Sequence, residues 1–95
     1  MKLNLSEETI IKRNPEIVTS NIDGEIVMMS IDNGEYYGLD EIASRIWELI
    51  ENPITVNNLI TNLLDEFEVS KDNCIKDTME FLTDMVNKNL VLVVS

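Results

Sequence analysis

The chain has 95 residues and 44% hydrophobic content, which is enough for one domain with a modest apolar core. Its 18 acidic and 7 basic residues give a formal net charge of -11, which argues against nucleic acid and anionic membranes as partners. The single cysteine excludes an internal disulfide, and the lack of histidine excludes Ser-His and Cys-His nucleophile systems built from this chain alone.

The N-terminal residues 1–8 are polar, and we expect them to be the flexible start of a single domain that spans residues 1–95. They lack the basic and apolar regions of a signal peptide. No apolar run reaches the roughly 18 residues of a membrane-spanning helix, so a cytoplasmic protein is expected. Thr9 to Arg13 is compatible with a short strand, which Asn14-Pro15 ends because proline donates no backbone hydrogen bond.

Two turn dipeptides, Asp23-Gly24 and Asn33-Gly34, separate β-rich runs between Ile17 and Leu39. Such dipeptides favour two-residue hairpin turns in which both central residues have positive φ. The pattern therefore predicts a three-stranded antiparallel meander. With two-residue turns, Ile31 lies opposite Tyr36 in the second hairpin.

Both faces of this meander are apolar. One face carries Val18, Val27, Met29, Ile31 and Tyr36, and the other carries Ile17, Ile26, Met28, Tyr37 and Leu39. A small antiparallel sheet usually buries one face, so the surplus indicates a partner, a folded-over terminus or a different register. The third strand, Glu35 to Leu39, is the last before helical periodicity begins. Its outer edge is expected to be free unless the C-terminus returns to it.

Three amphipathic helices are predicted after the meander, with Asp40, Thr55 and Ser70 as their N-caps. The third has an apolar arc wider than the roughly 100° stripe of a surface helix, so part of it should face something beyond the core. It should end near residues 87–89, followed by Leu90 to Val94 as a short strand or a packed tail. The expected fold is α+β and winged helix-turn-helix-like, a three-stranded antiparallel sheet followed by three helices.

Residues with catalytic or metal-binding potential are sparse. Cys74 is expected to be a small buried hydrophobe rather than a nucleophile, and the carboxylates of Asp77, Glu80 and Asp84 to form a solvated helix face. The Asp32-Asn33-Gly34 segment has neither the ligand alternation nor the distal glutamate of a calcium loop, and it is interpreted as a turn. We therefore expect no metal, no cofactor and no enzymatic activity.

A helix-turn-helix interpretation would place the third helix in a DNA groove. That helix region carries three lysines but four acidic residues, so it would present net negative charge to the phosphates. The negative charge thus argues against a function as a winged-helix DNA-binding regulator. Such a regulator remains the alternative from a different functional class.

Several short motifs together carry a family resemblance. They are Arg13-Asn14-Pro15, Asp23-Gly24, Asn33-Gly34, Tyr36-Tyr37-Gly38-Leu39-Asp40, Ile46-Trp47-Glu48-Leu49, Thr55-Val56, Leu59-Ile60, Phe81-Leu82 and Leu90-Val91. In this order the chain resembles the small PqqD-like proteins, also called recognition elements of ribosomally synthesised, post-translationally modified peptides (RiPP recognition elements). Asn89 departs from the glycine of many relatives, but asparagine tolerates the same left-handed conformation.

The resemblance implies that the leader peptide of a precursor adds as a strand to the third strand and lies against the third helix, which is β-augmentation. The implied peptide-binding residues are Glu35, Tyr36, Tyr37, Gly38 and Leu39 on the strand and Cys74, Asp77, Thr78, Phe81 and Met85 on the helix. Tyr37 and Leu39 are equally compatible with the core. Asp77 is suited to pair with a basic leader residue.

The family also implies a function. A stand-alone chain of this length resembles the leader-binding protein of lasso-peptide biosynthesis, which delivers the precursor leader peptide to a companion cysteine protease and a cyclase. The alternative within the family is a peptide chaperone for a radical-SAM enzyme of the PqqD type. In both cases the chain presents substrate, performs no chemistry and binds neither nucleic acid nor membrane.

Overall fold

The structure, a computed structural model, describes residues 5–30 and 34–94. Its elements in chain order are β1 (Ile10–Arg13), β2 (Val18–Ile22), β3 (Glu25–Ser30), β4 (Glu35–Gly38), α1 (Glu41–Leu49), β5 (Ile54–Thr55), α2 (Val56–Glu66), α3 (Lys71–Asn87) and β6 (Val91–Val93). The strands form two antiparallel sheets, ordered β2-β3-β4 and β5-β1-β6. The predicted α+β fold is confirmed. The structure has a second sheet, β5-β1-β6, in addition to the predicted three-stranded one. Among the helices in these residues, none has the length and apolar character needed to cross a membrane.

The first predicted hairpin turn is confirmed. Ile22 pairs with Glu25, and the two residues between them have φ values of 54° at Asp23 and 86° at Gly24. Positive φ at both central positions matches the twist of the flanking strands. The Asn21 side chain adds to the turn by accepting a hydrogen bond from the Gly24 amide at 3.0 Å.

The second hairpin has a different register from the one predicted. Tyr36 pairs with Met29, and Ser30 pairs with Glu35, so the prediction of Ile31 opposite Tyr36 was wrong. A shift of two residues leaves every side chain on its original face, so alternation of apolar residues cannot detect it. The face assigned to Ile31 and the first residues of the predicted turn lie outside the described residues, as do residues 1–4 of the predicted flexible N-terminus.

The sheet β2-β3-β4 buries one of its two apolar faces. Met28 is fully buried and Leu39 is 5% exposed, and the remaining side chains of this face, Ile17, Ile26 and Tyr37, pack partly buried against the core. The opposite face is open to solvent, with exposures of 46% at Val18, 57% at Ile22 and 71% at Tyr36. The apolar surplus noted in the sequence is therefore a real surface feature.

The three predicted N-caps are confirmed. The side chains of Asp40, Thr55 and Ser70 each accept a hydrogen bond from the backbone amide three residues later. These bonds satisfy donors that the first helical turn leaves unpaired, which fixes where each helix begins. The Asp40 cap starts α1 immediately after β4, so the strand and the first turn of α1 are closely joined.

The C-terminal segment is a strand, and it pairs with β1 rather than with β4. The turn after α3 has Asn89 at φ 64°, and the Leu90 amide donates to the Met85 carbonyl at 2.9 Å. This Schellman-type ending closes the helix and directs the chain away from it. Because β6 then joins the sheet β5-β1-β6, it leaves the outer edge of β4 uncovered.

The core lies between the two sheets and the three helices. Trp47 is 1% exposed, and the Arg13 guanidinium lies 5.6 Å from the centre of its ring. The other buried apolar side chains come from every helix and from strands of both sheets: Ile11, Met28, Leu39, Ile46, Ile50, Val56, Leu59, Ile60, Leu63, Cys74, Leu82, Met85, Leu90 and Val91.

Candidate functional site

The outer edge of β4 is the first part of the site. Within residues 5–30 and 34–94, β4 pairs with β3 and with no other strand. The Leu39 amide donates to the Ile26 carbonyl at 2.9 Å, which places this pair in the hydrogen-bonded position of the ladder. Since antiparallel pairs alternate, Tyr36 and Gly38 direct their backbone N–H and C=O groups away from β3. An extended chain arriving at this edge would find these groups available.

The C-terminal end of α3 lies against β4. The Lys88 ammonium group is 4.9 Å from the centre of the Tyr37 ring and 3.1 Å from an Asp84 carboxylate oxygen. The hydrogen bond to Asp84, together with the charge of that carboxylate, raises the pKa of Lys88 above its usual value of 10.5. Tyr37 also donates from its hydroxyl to Glu35 Oε2 at 3.0 Å. Through these contacts the end of α3 lies close to the strand.

A groove continues from the end of β4 along α3. Its first cavity, of about 160 Å³, lies between α1 and α3 and is lined by Asp40, Ile42, Ala43, Ile46, Asp77, Thr78 and Phe81. A larger cavity of about 400 Å³ lies where α2 meets α3 and is lined by Ile42, Leu63, Phe67, Glu68, Val69, Ser70, Asn73, Cys74, Asp77 and Thr78. Ile42, Asp77 and Thr78 belong to both, so the cavities adjoin. We call them together the α3 groove.

The predicted strand residues occupy different positions at this site. Glu35, Tyr36, Tyr37 and Gly38 form β4, whereas Leu39 follows it and lies in the core. Tyr36 projects from the open face of the sheet, so only its backbone is directed along the edge toward an added strand. The Tyr37 side chain lies on the face toward α3.

The predicted helix residues divide between groove and core. Cys74, Asp77, Thr78 and Phe81 line the α3 groove, and of these Asp77 is exposed while Phe81 is half-buried. Met85 is 5% exposed and belongs to the core. The assignment of the ten residues to peptide binding remains a prediction.

The charged side chains that line the α3 groove are all acidic. They are Asp40, Glu68 and Asp77, and the side chains of Glu68 and Asp77 make no hydrogen bond or ion pair within the part of the chain that the structure describes. Arg45 on α1 is bound elsewhere, at 2.7 Å from Glu66. The hydrogen bond to Glu66 raises the pKa of Arg45. The groove therefore presents uncompensated negative charge.

The residues of the site do not form an evident metal centre. Over residues 5–30 and 34–94, no group of three or more Cys, Asp or Glu side chains is arranged to hold a metal ion. Cys74 is buried, with its sulfur 4.0 Å from the Thr78 hydroxyl. The arrangement offers backbone hydrogen bonds at an edge and an apolar groove beside it, which together suit an extended peptide.

Sequence reasoning missed part of the groove. Ile42 and Phe67 have the helical spacing of core residues, and Glu68 and Val69 lie in the short connection between α2 and α3. Nothing in the sequence shows that the first turn of α1 meets this connection, because the contact joins segments that are distant in the chain.

Comparisons with known proteins agree with this geometry. The profile of the family described as Coenzyme PQQ synthesis protein D (PqqD) matches residues 25–91. Among solved structures, TbiB1 in complex with the TbiA(beta) leader peptide is similar, with a TM-score of 0.75 and 31% identity over 84% of this chain and 93% of that chain. No curated protein matches the chain.

Two further solved structures share the fold at lower identity. A lasso peptide synthetase B1 complexed with the leader peptide has a TM-score of 0.74 and 22% identity, over 86% of this chain and 96% of that chain. The other is the NMR structure of the PqqD truncation of Methylobacterium extorquens PqqCD, a stand-alone RiPP recognition element. It has a TM-score of 0.75 and 13% identity, over 94% of this chain and 95% of that chain. Both similarities concern the fold.

Proposed function

This chain belongs to the PqqD family, and we propose that it binds the leader peptide of a ribosomally synthesised precursor as an added strand on β4. The observation that carries the proposal is the uncovered edge: Tyr36 and Gly38 direct backbone groups outward beside α3, while β6 pairs with β1. The complex of TbiB1, 31% identical to this chain, with a leader peptide supports the same use here.

The bound leader is then presented to companion enzymes, which we propose to be the cysteine protease and the cyclase of a lasso-peptide system. The chain itself contributes no catalytic group. Presentation needs a second surface, and the open apolar face with Val18, Ile22 and Tyr36 suits that role. A strand added to β4 would extend this face, so a companion enzyme could contact recognition protein and leader together.

The alternative within the family is a peptide chaperone for a radical-SAM enzyme. The family description and the fold shared with the Methylobacterium extorquens recognition element support it. The fold shared with the lasso peptide synthetase B1 that was solved with the leader peptide supports the lasso-peptide assignment. Adding each class of companion enzyme to the protein–leader complex discriminates the two, because only the correct enzyme should act faster when this chain is present.

Leader binding is tested by NMR titration of the labelled protein with the leader of a precursor encoded beside its gene. We expect saturable amide shifts concentrated in residues 35–39 and along α3, without added metal or nucleotide. A scrambled leader of the same composition is the control. Shifts confined to β6 or β2, or no saturable shift, would contradict the proposal.

A further inference from the structure

Strand β6 is an edge strand of the sheet β5-β1-β6. The Leu90 carbonyl accepts a hydrogen bond at 3.0 Å from the residue that follows β1, and the Val94 amide donates at 2.8 Å to the first residue of β1. Leu92 lies midway between them and is a third hydrogen-bonded position of this ladder. Val91 and Val93 therefore direct their backbone N–H and C=O groups away from β1. No other strand of the described chain pairs with this edge.

The side chains of this edge are apolar and partly open to solvent. Leu92, Val93 and Val94 are 37%, 42% and 52% exposed. Natural edge strands are commonly protected from pairing by a lysine, a proline or a bulge. Strand β6 contains neither a charged residue nor a proline, and its residue pairs with β1 are consecutive, without a bulge. It thus has the properties of a strand that can pair with another chain.

The charge around this edge differs from that of the whole chain. The chain has a net charge of -11, yet β1 and residues 85–94 contain no acidic residue and three basic ones, Lys12, Arg13 and Lys88. Two copies of the chain repel each other at long range because both are strongly acidic. At β6 they can pair without an acidic side chain in the contacting strands or in the strands next to them.

A second β6 also fits this edge by symmetry. In an antiparallel pair related by a two-fold axis through Leu92, Val91 of one copy lies opposite the partner's Val93, and the reverse. Each of these pairs exchanges two backbone hydrogen bonds, so all the outward groups of both strands find partners. The Leu92 side chain meets the partner's Leu92 across the axis, at the closer spacing of a non-hydrogen-bonded pair.

We propose that the protein forms a homodimer in which two β6 strands pair antiparallel, so that the two β5-β1-β6 sheets become one continuous sheet. The contact is small, so the dimer is weak and its population depends on protein concentration. Strand β4 belongs to the other sheet, and both copies keep its outer edge free. The dimer goes beyond the proposed leader binding, and neither depends on the other.

Self-association is tested by sedimentation equilibrium from micromolar to millimolar protein. The weight-average mass of the wild type should rise toward twice that of the monomer. Val93→Pro removes an outward donor from each copy and should raise the dissociation constant at least about tenfold. Val93→Ala keeps the donor and should raise it by no more than about fivefold. A monomer at every concentration, or equal association of the proline variant with its fold intact by circular dichroism, would overturn the dimer.

The register is tested by disulfide formation in a Cys74→Ala background, which removes the only cysteine of the chain. Leu92→Cys should form an intermolecular disulfide under mild oxidation, because the two Cα atoms are expected at about 4.5 Å. Val94→Cys is the matched control on the same strand. Its Cα lies more than about 12 Å from its counterpart in this register, so it should remain reduced. Cross-linking at Val94 but not at Leu92 would overturn the proposed pairing.

Discussion

The ammonium group of Lys88 lies 4.9 Å from the centre of the Tyr37 ring, connecting the end of α3 to the strand whose outer edge is available for pairing. Lys88 also donates a hydrogen bond to Asp84 one turn earlier. The contact places the C-terminal end of α3 beside β4, next to the edge at which an added peptide would lie.

The first prediction concerns the pH dependence of this contact. Because the folded-state pKa of Lys88 is raised, its contribution to stability is present below the unfolded-state value of 10.5 and is lost as pH rises through the higher folded value. The difference in unfolding free energy between the wild type and Lys88→Met should be constant from neutral pH to near the unfolded-state pKa of 10.5. At higher pH this difference should decrease. Urea unfolding at a series of pH values measures this.

Both proteins in the Lys88 comparison also carry Tyr37→Phe, so the ring beside Lys88 has no ionisable group. A difference that stays constant through strongly alkaline pH would show that Lys88 acts through packing of its hydrocarbon stem.

Gly38 provides a direct test of the strand edge. Its amide points outward, and a Cβ at this position meets no atom within 4 Å. Gly38→Pro should therefore remove an edge donor and obstruct an added strand, whereas Gly38→Ala keeps the donor. Loss of one hydrogen bond costs roughly 0.5–1.5 kcal/mol of binding free energy. Gly38→Pro should therefore lower leader affinity several-fold to tenfold or more, whereas Gly38→Ala should not lower it. Calorimetric titration of both folded variants measures this, and equal affinities would exclude strand addition at β4.

Phe81 and Leu82 are neighbours on α3 with different surroundings. Leu82 is fully buried, so Leu82→Ala should destabilise the fold by about 2–5 kcal/mol. Phe81 is half-buried and lines the smaller cavity, so Phe81→Ala should cost less stability but more leader affinity. We expect about a tenfold affinity loss for Phe81→Ala and near wild-type binding for Leu82→Ala under conditions where both are folded. The reverse ranking in a binding titration would place the peptide away from α3.

The open face of the sheet should act after leader binding. Val18→Ser and Ile22→Ser replace exposed side chains on β2, away from the binding edge, so stability should change by no more than about 0.5 kcal/mol and leader affinity should remain unchanged. Leader cleavage by the companion protease should slow if the protease contacts this face. Leu92→Ser, at a 37% exposed position on the other sheet, is the matched control. Equal cleavage rates for all three variants would exclude the face as the docking surface.

The sequence by itself determined the features that depend on neighbouring residues. Asp40, Thr55 and Ser70 fix where the helices begin, since each accepts a hydrogen bond from an amide three residues away. Asp23-Gly24 determines the first turn because its positive φ values suit few other dipeptides. Asn89 was likewise expected to tolerate the left-handed conformation that it adopts.

Tertiary structure decided the features that join distant segments. Three such features depend on which arrangement buries the most apolar surface. They are the register of Tyr36 against Met29, the pairing of β6 with β1, and the burial of Met85 and Leu39 beside a groove lined by Phe81. Strands of two to six residues carry too little pattern to specify their partners, and a shift of two residues preserves their faces. Packing of the whole chain therefore left the edge of β4 open and placed the acidic groove beside it.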